Sequence, residues 1–128
     1  MNLLLDTHLL LRAAEGRERL PPRAAALMGD PDNDLNFSAA SIWEVAIKQG
    51  LGRPDFNVDP SLLRRSLLDN AYRELAVSGA HAASVTTLPA IHKDLFDRIL
   101  VAQAQIEGLV LLTADRIVAR YPGPIQLV

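Results

Sequence analysis

An α/β fold built on a mostly parallel central sheet of about five strands is predicted, and three observations predict it. Asn2-Leu3-Leu4-Leu5 and Leu109-Val110-Leu111-Leu112 are short continuous apolar runs, the pattern of strands buried on both faces. Segments of about ten residues with apolar positions at helical spacing separate the shorter runs. Residues that cap helices follow the runs, so strand and helix alternate, an order that implies right-handed crossovers and a sheet covered on both faces. With 128 residues and 49% hydrophobic content, the chain reads as one domain over residues 1–128, large enough to bury its own core.

The elements follow in order. Asp6-Thr7 ends the first strand and caps a short helix through Leu9, Leu10, Ala13 and Ala14 that stops near Gly16. Pro21-Pro22 suits the first turn of a second helix carrying Ala24, Leu27 and Met28, and Gly29-Asp30-Pro31 ends it. Asp32-Asn33-Asp34 is a turn, and Leu35-Asn36-Phe37 is too short for anything but a strand or loop. Ser41-Ile42-Trp43-Glu44 has capping-box spacing and opens a helix with Ile42, Val45 and Ala46 on one face, ending between Gly50 and Pro54. Asp59-Pro60 starts another helix, bearing Leu62, Leu63 and Leu67. Arg73 to Val77 alternates as a strand does, and Ser78-Gly79 leads a short helix that ends before Pro89. Asp94 caps a helix with Leu95, Ile99, Ala102 and Ile106 on one stripe, and Gly108 terminates it ahead of the apolar run at Leu109. Thr113-Ala114-Asp115 is expected to start a last helix, broken at Pro122-Gly123-Pro124 before an edge strand over Ile125 to Val128.

Composition removes several classes of function. No cysteine is present, so thiolate catalysis, disulfides and Cys-based zinc sites are excluded, and any metal must sit on oxygen or histidine. No apolar run reaches membrane-spanning length, and the acid at Asp6 replaces the basic flank of a signal peptide; a soluble, cytoplasmic protein with no membrane role is expected. Thirteen basic against fifteen acidic residues give a net charge of −2, which lacks the basic excess of a typical nucleic-acid binder. An acidic centre lowers the whole-chain charge all the same, so nucleic acid stays open as a substrate. The 5% aromatic content argues against a base-stacking module.

Ligands of open parallel sheets bind beyond the carboxyl ends of the strands, and this is where the acids fall. Asp6 follows the first strand, Glu44 is placed in the first turn after the strand at Leu35, Asp115 follows the strand at Leu109, and Asp97 is in the first turn of the preceding helix. Each has a structural explanation as a cap or as an i,i+4 pair, Glu44 with Lys48 and Asp94 with Arg98, worth only ~0.2–0.5 kcal/mol. Together, carboxylates at one sheet edge repel one another unless a cation sits among them. Carboxylates with a hydroxyl such as Thr113 suit Mg²⁺ or Mn²⁺ better than Zn²⁺, and the matching chemistry is phosphodiester hydrolysis.

The ordered motifs Leu4-Leu5-Asp6-Thr7-His8, Ser38 to Lys48 around Trp43-Glu44, His92-Lys93-Asp94-Leu95-Phe96-Asp97-Arg98 and Leu111-Leu112-Thr113-Ala114-Asp115 resemble those of PIN-domain proteins, and more narrowly VapC-type toxins. The resemblance runs from first strand to last. It implies an α/β/α sandwich whose acidic pocket, Asp6, Glu44, Asp97 and Asp115, binds Mg²⁺ or Mn²⁺ and cuts RNA as an endoribonuclease. Thr113 matches the hydroxyl near the last acid and Thr7 the residue beside the first. The resemblance further implies a homodimer, a VapB-type antitoxin partner and a target among tRNA or ribosomal RNA. Arg12 departs from a common tryptophan and Leu95 from a common proline. A DNA-directed or RNA-processing PIN nuclease is the nearest alternative, and a catalytically silent binding partner another; the latter fits poorly with a full set of acids. Aspartyl-phosphate enzymes and receiver domains need a second acid that Asp6-Thr7-His8 does not supply.

The remaining polar candidates carry two readings. His8, His81 and His92 form no zinc spacing. His8 is expected to be packed or hydrogen-bonded near the first helix, and His92 either fixes the turn before Asp97 or touches RNA. Arg98 either contacts phosphate or pairs with Asp94, Arg64-Arg65 and Lys48 either rim an RNA groove or form solvated helix faces, and Trp43 is expected in the core or an interface.

Overall fold

The computed structural model describes all 128 residues. Its centre is a five-stranded sheet of order β3-β2-β1-β4-β5, in which every pairing is parallel. The strands are β1 (Asn2–Leu5), β2 (Asp34–Ser38), β3 (Arg73–Leu75), β4 (Val110–Thr113) and β5 (Ile125–Leu127). The helices are α1 (Thr7–Glu15), α2 (Pro22–Gly29), α3 (Ala39–Gly50), α4 (Pro60–Asp69), α5 (Gly79–Ser84) and α6 (Leu95–Glu107). β1 lies in the middle because both its faces are apolar: Leu3, Leu4 and Leu5 are completely buried. Their alternation splits the core in two, since successive strand side chains point to opposite faces. Leu3 and Leu5 join Leu9, Leu10, Ala24, Phe37, Leu63, Leu67 and Leu112 beneath α1, α2 and α4. Leu4 joins Leu100, Val101, Ala104, Leu111, Val118 and Tyr121 beneath α6. Each such leucine contributes ~2–3 kcal/mol of hydrophobic burial, so an acid at Leu4 removes that stabilisation and buries a charge as well.

The strand order decides where a site forms. From β1 the chain winds outward through β2 to β3, then returns to the other side of β1 for β4 and β5. The reversal lies between β1 and β4, where Leu5 pairs with Leu112, and loops leaving the two strands diverge there into a crevice.

Four sequence expectations are corrected. The third helix begins at Ala39, capped by Ser38, whose hydroxyl accepts from the Ala40 N–H; Ser41 is inside the helix and Glu44 lies in its second turn. A strand running directly into a helix leaves the last strand residue, Ser38, as the cap. The stripe Leu95, Ile99, Ala102 and Ile106 is not the buried face of α6: Leu95 is 75% exposed, and Leu100 through Ala104 are buried. This helix is packed on one side by the sheet and on others by α3 and α5, so one stripe underdescribes its contacts. No α-helix starts at Thr113-Ala114-Asp115; a turn and a single 3₁₀ turn over Val118–Arg120 fill the short span before Pro122. Trp43 is not core, being 64% exposed and edge-on to Phe96. Gly108 terminates α6 as expected, in the left-handed region at φ 68° with its N–H bonded to the Ala104 carbonyl.

Candidate active site

Asp6 emerges from β1 at the reversal point and is almost wholly buried. Its carboxylate caps α1, one oxygen accepting from the Leu9 N–H at 2.9 Å, and its other oxygen accepts a 2.6 Å hydrogen bond from the Thr113 hydroxyl at the end of β4. Capping and site membership therefore coexist, because an ionised carboxylate has about four acceptor positions and these bonds use two. The Thr113 oxygen in turn accepts from the Asp115 N–H at 3.0 Å, which holds the Asp115 turn against Asp6. Thr7 points elsewhere, donating to the Ser41 hydroxyl at 2.9 Å and tying α1 to α3.

Asp97 arrives from α6. Asp94 caps that helix, one of its oxygens accepting from the Phe96 and Asp97 N–H groups. The Asp97 side chain does not fold back on the cap: the Asp94 N–H is taken by His92 Nδ1 at 3.2 Å. That bond leaves the imidazole proton on Nε2, which faces Asp97 Oδ2 at 3.2 Å and Asp115 Oδ2 at 3.8 Å. His92, Asp97 and Asp115 present ligand atoms within 4.8 Å of one another.

Glu44 is buried in α3, and its charge is met by Lys48 at 2.9 Å on the next turn. Lys48 is the one lysine or arginine paired with any of the four acids. The consequence appears at Asp97, whose carboxyl is pushed up to about 7 by burial and then by the charges of Asp94, Asp6, Glu44 and Asp115. Burial likewise raises Asp6, with Asp115 adding to the effect while the Thr113 hydroxyl, the Leu9 N–H and His8 oppose it. Asp6, Glu44, Asp97 and Asp115 thus share one field of repulsion, and a hard divalent cation fits such a set: the donors are carboxylate oxygens, and the missing component is positive charge.

The Arg98 guanidinium donates to the Pro89 and Val85 carbonyls and to the Tyr121 hydroxyl, at 3.0–3.1 Å, and forms no ion pair with Asp94. Tyr121 also accepts from the His92 N–H at 2.8 Å, so Arg98 and Tyr121 pin the segment that presents His92. His81 is buried in the cap of α5, accepting from the Ser78 N–H and lying 2.8 Å from Glu107. His8, expected to be packed or hydrogen-bonded, is exposed. With Arg12, Asp6, Ala114 and Asp115 it lines a recess of about 190 Å³ beside the acids. The signal for this basic wall is the i,i+4 spacing of His8 and Arg12 directly after Asp6.

The family model for the PIN domain matches residues 3–124. The chain belongs to the PIN domain family. No curated protein matches its sequence. Among solved structures, this PIN domain is similar in fold to a chain of VapBC2 from Rickettsia felis bound to a promoter DNA fragment, with a TM-score of 0.71 and 14% identity over 99% of this chain and 98% of that one. It is also similar to a chain of a toxin-antitoxin complex from Klebsiella pneumoniae, with a TM-score of 0.64 and 22% identity over 97% and 95% of the two chains. A chain of VapBC-1 from nontypeable Haemophilus influenzae aligns with a TM-score of 0.63 and 17% identity over 99% and 98%. No helix of this PIN domain is long and apolar enough to cross a membrane.

Proposed function

We propose that this PIN domain, one unit over residues 1–128, is a Mg²⁺- or Mn²⁺-dependent endoribonuclease and the toxin of a VapBC-type pair. The observation that carries the reading is the convergence of acids at the β1–β4 crevice: Thr113 ties Asp6 to the Asp115 turn, His92, Asp97 and Asp115 present ligand atoms within 4.8 Å of one another, and burial with the surrounding acids pushes Asp97 up to about 7. A fold does not maintain such repulsion for stability, and perturbed carboxyls in a crevice mark functional sites. Asp6, Asp97 and Asp115, with Glu44 behind them, would hold the cation. A bound divalent cation supplies polarisation of a phosphoryl oxygen and activation of water. Thr113 orients Asp6 through its 2.6 Å hydrogen bond, and His92 restrains Asp97 and Asp115. Likeness to chains of toxin-antitoxin complexes supports a VapB-type antitoxin as partner. Trp43, Leu95, Phe96, Ile99 and Val77 border an apolar hollow of about 380 Å³, which supports pairing of two copies, and the reading places the pair in the cytoplasm.

The test is cleavage of total RNA with Mg²⁺ by the wild type, by Asp6→Asn and by Asp97→Asn, with circular dichroism to check folding. Loss of cleavage in folded variants, and in wild type after EDTA, is expected. Undiminished cutting by both variants removes the mechanism.

A further inference from the structure

The acids explain how a cation is held and leave open how a polyanion is held. A chain of net charge −2 whose site is carboxylate-lined repels RNA unless cationic groups stand beside that site. Two basic residues close to the acids are already engaged: Lys48 is locked onto Glu44, and three of the five donors of Arg98 are taken by Pro89, Val85 and Tyr121. Arg12 differs. It stands on α1 one turn beyond His8, exposed, and lines the recess of about 190 Å³ together with Asp6 and Asp115. The buried Leu9 and Leu10 anchor that helix to the core, so the basic pair is presented from a rigid element. The lining of the recess thus combines two acids with a guanidinium and an imidazole.

We propose that Arg12, assisted by His8, grips a backbone phosphate of the nucleic-acid strand in this recess and so seats the strand beside the acids. The volume accommodates a phosphodiester group with some of its water. The planar fork of arginine makes paired, charge-assisted hydrogen bonds to phosphate oxygens. Phosphate contacts position a strand without reading its bases, so Arg12 governs affinity and register and leaves cleavage sequence to other groups. The inference rests on the nuclease reading for the identity of the strand.

The experiment measures anisotropy of a short fluorescein-labelled single-stranded RNA of mixed sequence on the full chain, with Ca²⁺ replacing Mg²⁺ to hold the strand uncut, across a KCl titration. Arg12→Ala is expected to weaken binding about tenfold. It is also expected to flatten the dependence of log K on log salt by about 0.7, the contribution of one phosphate on a single strand. Arg12→Lys restores the slope and only part of the affinity. The melting temperature stays unchanged, because the exposed side chain holds nothing together. In cleavage assays with Mg²⁺, Arg12→Ala raises KM with little change in kcat, whereas a purely structural role lowers stability and leaves the salt slope intact. Unchanged affinity and slope in Arg12→Ala overturn the proposal, as does absence of RNA binding by the wild type. Salt-sensitive, Arg12-dependent binding by a wild type that cuts no RNA sinks the nuclease reading and sustains this one. Efficient cutting with an unaltered KM in Arg12→Ala does the reverse.

Discussion

Replacing Asp97 by asparagine should make the metal-free protein more stable while abolishing its chemistry. The folded carboxyl is held at about 7 against an ordinary value of 3.8, first by burial and then by the neighbouring acids; the gap is roughly three pH units, and each unit is worth about 1.4 kcal/mol, so the full cost of charging it is about 4 kcal/mol. Water reaches the crevice, where the Asp115 side chain is 34% exposed, and screening leaves about half of that cost, ~2 kcal/mol. The sign follows from proton counts. Between the two values the folded chain retains a proton that the unfolded chain has released, so wild-type stability falls as pH rises through that window. Asparagine imitates the protonated form at every pH. With EDTA at about pH 8 we expect Asp97→Asn to melt roughly 8 °C above wild type, at about 4 °C per kcal/mol for a chain of this size. At about pH 5 the gain should shrink to less than half, because only about one of the three units is then in play. Added Mg²⁺ should raise wild type and leave the variant nearly unmoved. Differential scanning fluorimetry at both pH values reads all of this. A variant no more stable than wild type at the higher pH, or a gain independent of pH, refutes the claim that burial and the surrounding acids together disfavour the charge on Asp97.

The other expectations concern neighbouring groups. Mg²⁺ affinity measured by calorimetry should fall as pH drops below about 7, since the cation then competes with the proton on Asp97, and an affinity flat from pH 8 to 5 contradicts this assignment. Thr113→Val keeps the side-chain shape but removes the 2.6 Å donor to Asp6; it should cost ~1.5–3 kcal/mol in urea unfolding and weaken Mg²⁺ binding, and a neutral result on both counts shows that Asp6 does not need the bond. Arg98→Ala leaves the Val85 and Pro89 carbonyls without their donor, and we expect ~1–2 kcal/mol of lost stability with faster amide exchange around His92. Unaltered exchange there would mean that Tyr121 holds the segment alone.

Much of this protein is legible in its sequence because the determining patterns are local. The run Leu3-Leu4-Leu5 is apolar at every position, which only a strand covered on both faces accommodates, and Asp59-Pro60, Asp94 and Gly108 mark helix ends through bonds to residues a few positions away. Acids at strand ends and in a helical first turn are visible the same way, so Asp6, Asp97 and Asp115 stand out before any coordinates. The Ser41-to-Glu44 spacing misleads because it matches a capping box, while the true cap, Ser38, is chosen by where β2 stops pairing with its neighbours. The exposed Leu95 misleads for a related reason: periodicity shows which residues share a face, and says nothing of whether a neighbour covers it.

Tertiary structure alone settles which partner each polar group finds. The 2.6 Å bond between Asp6 and Thr113 joins residues at opposite ends of the chain, and it exists because β1 and β4 pair across the reversal in strand order. The same pairing and the seating of α6 on the sheet bring Asp97 among acids that lie far from it in sequence, which raises its carboxyl. Arg98 and Arg12 are equally charged in the sequence, yet packing turns one onto backbone carbonyls and leaves the other facing the acid recess. Helix ends and strand character depend on residues within a turn or two, whereas charge interactions depend on distances that only the folded chain defines.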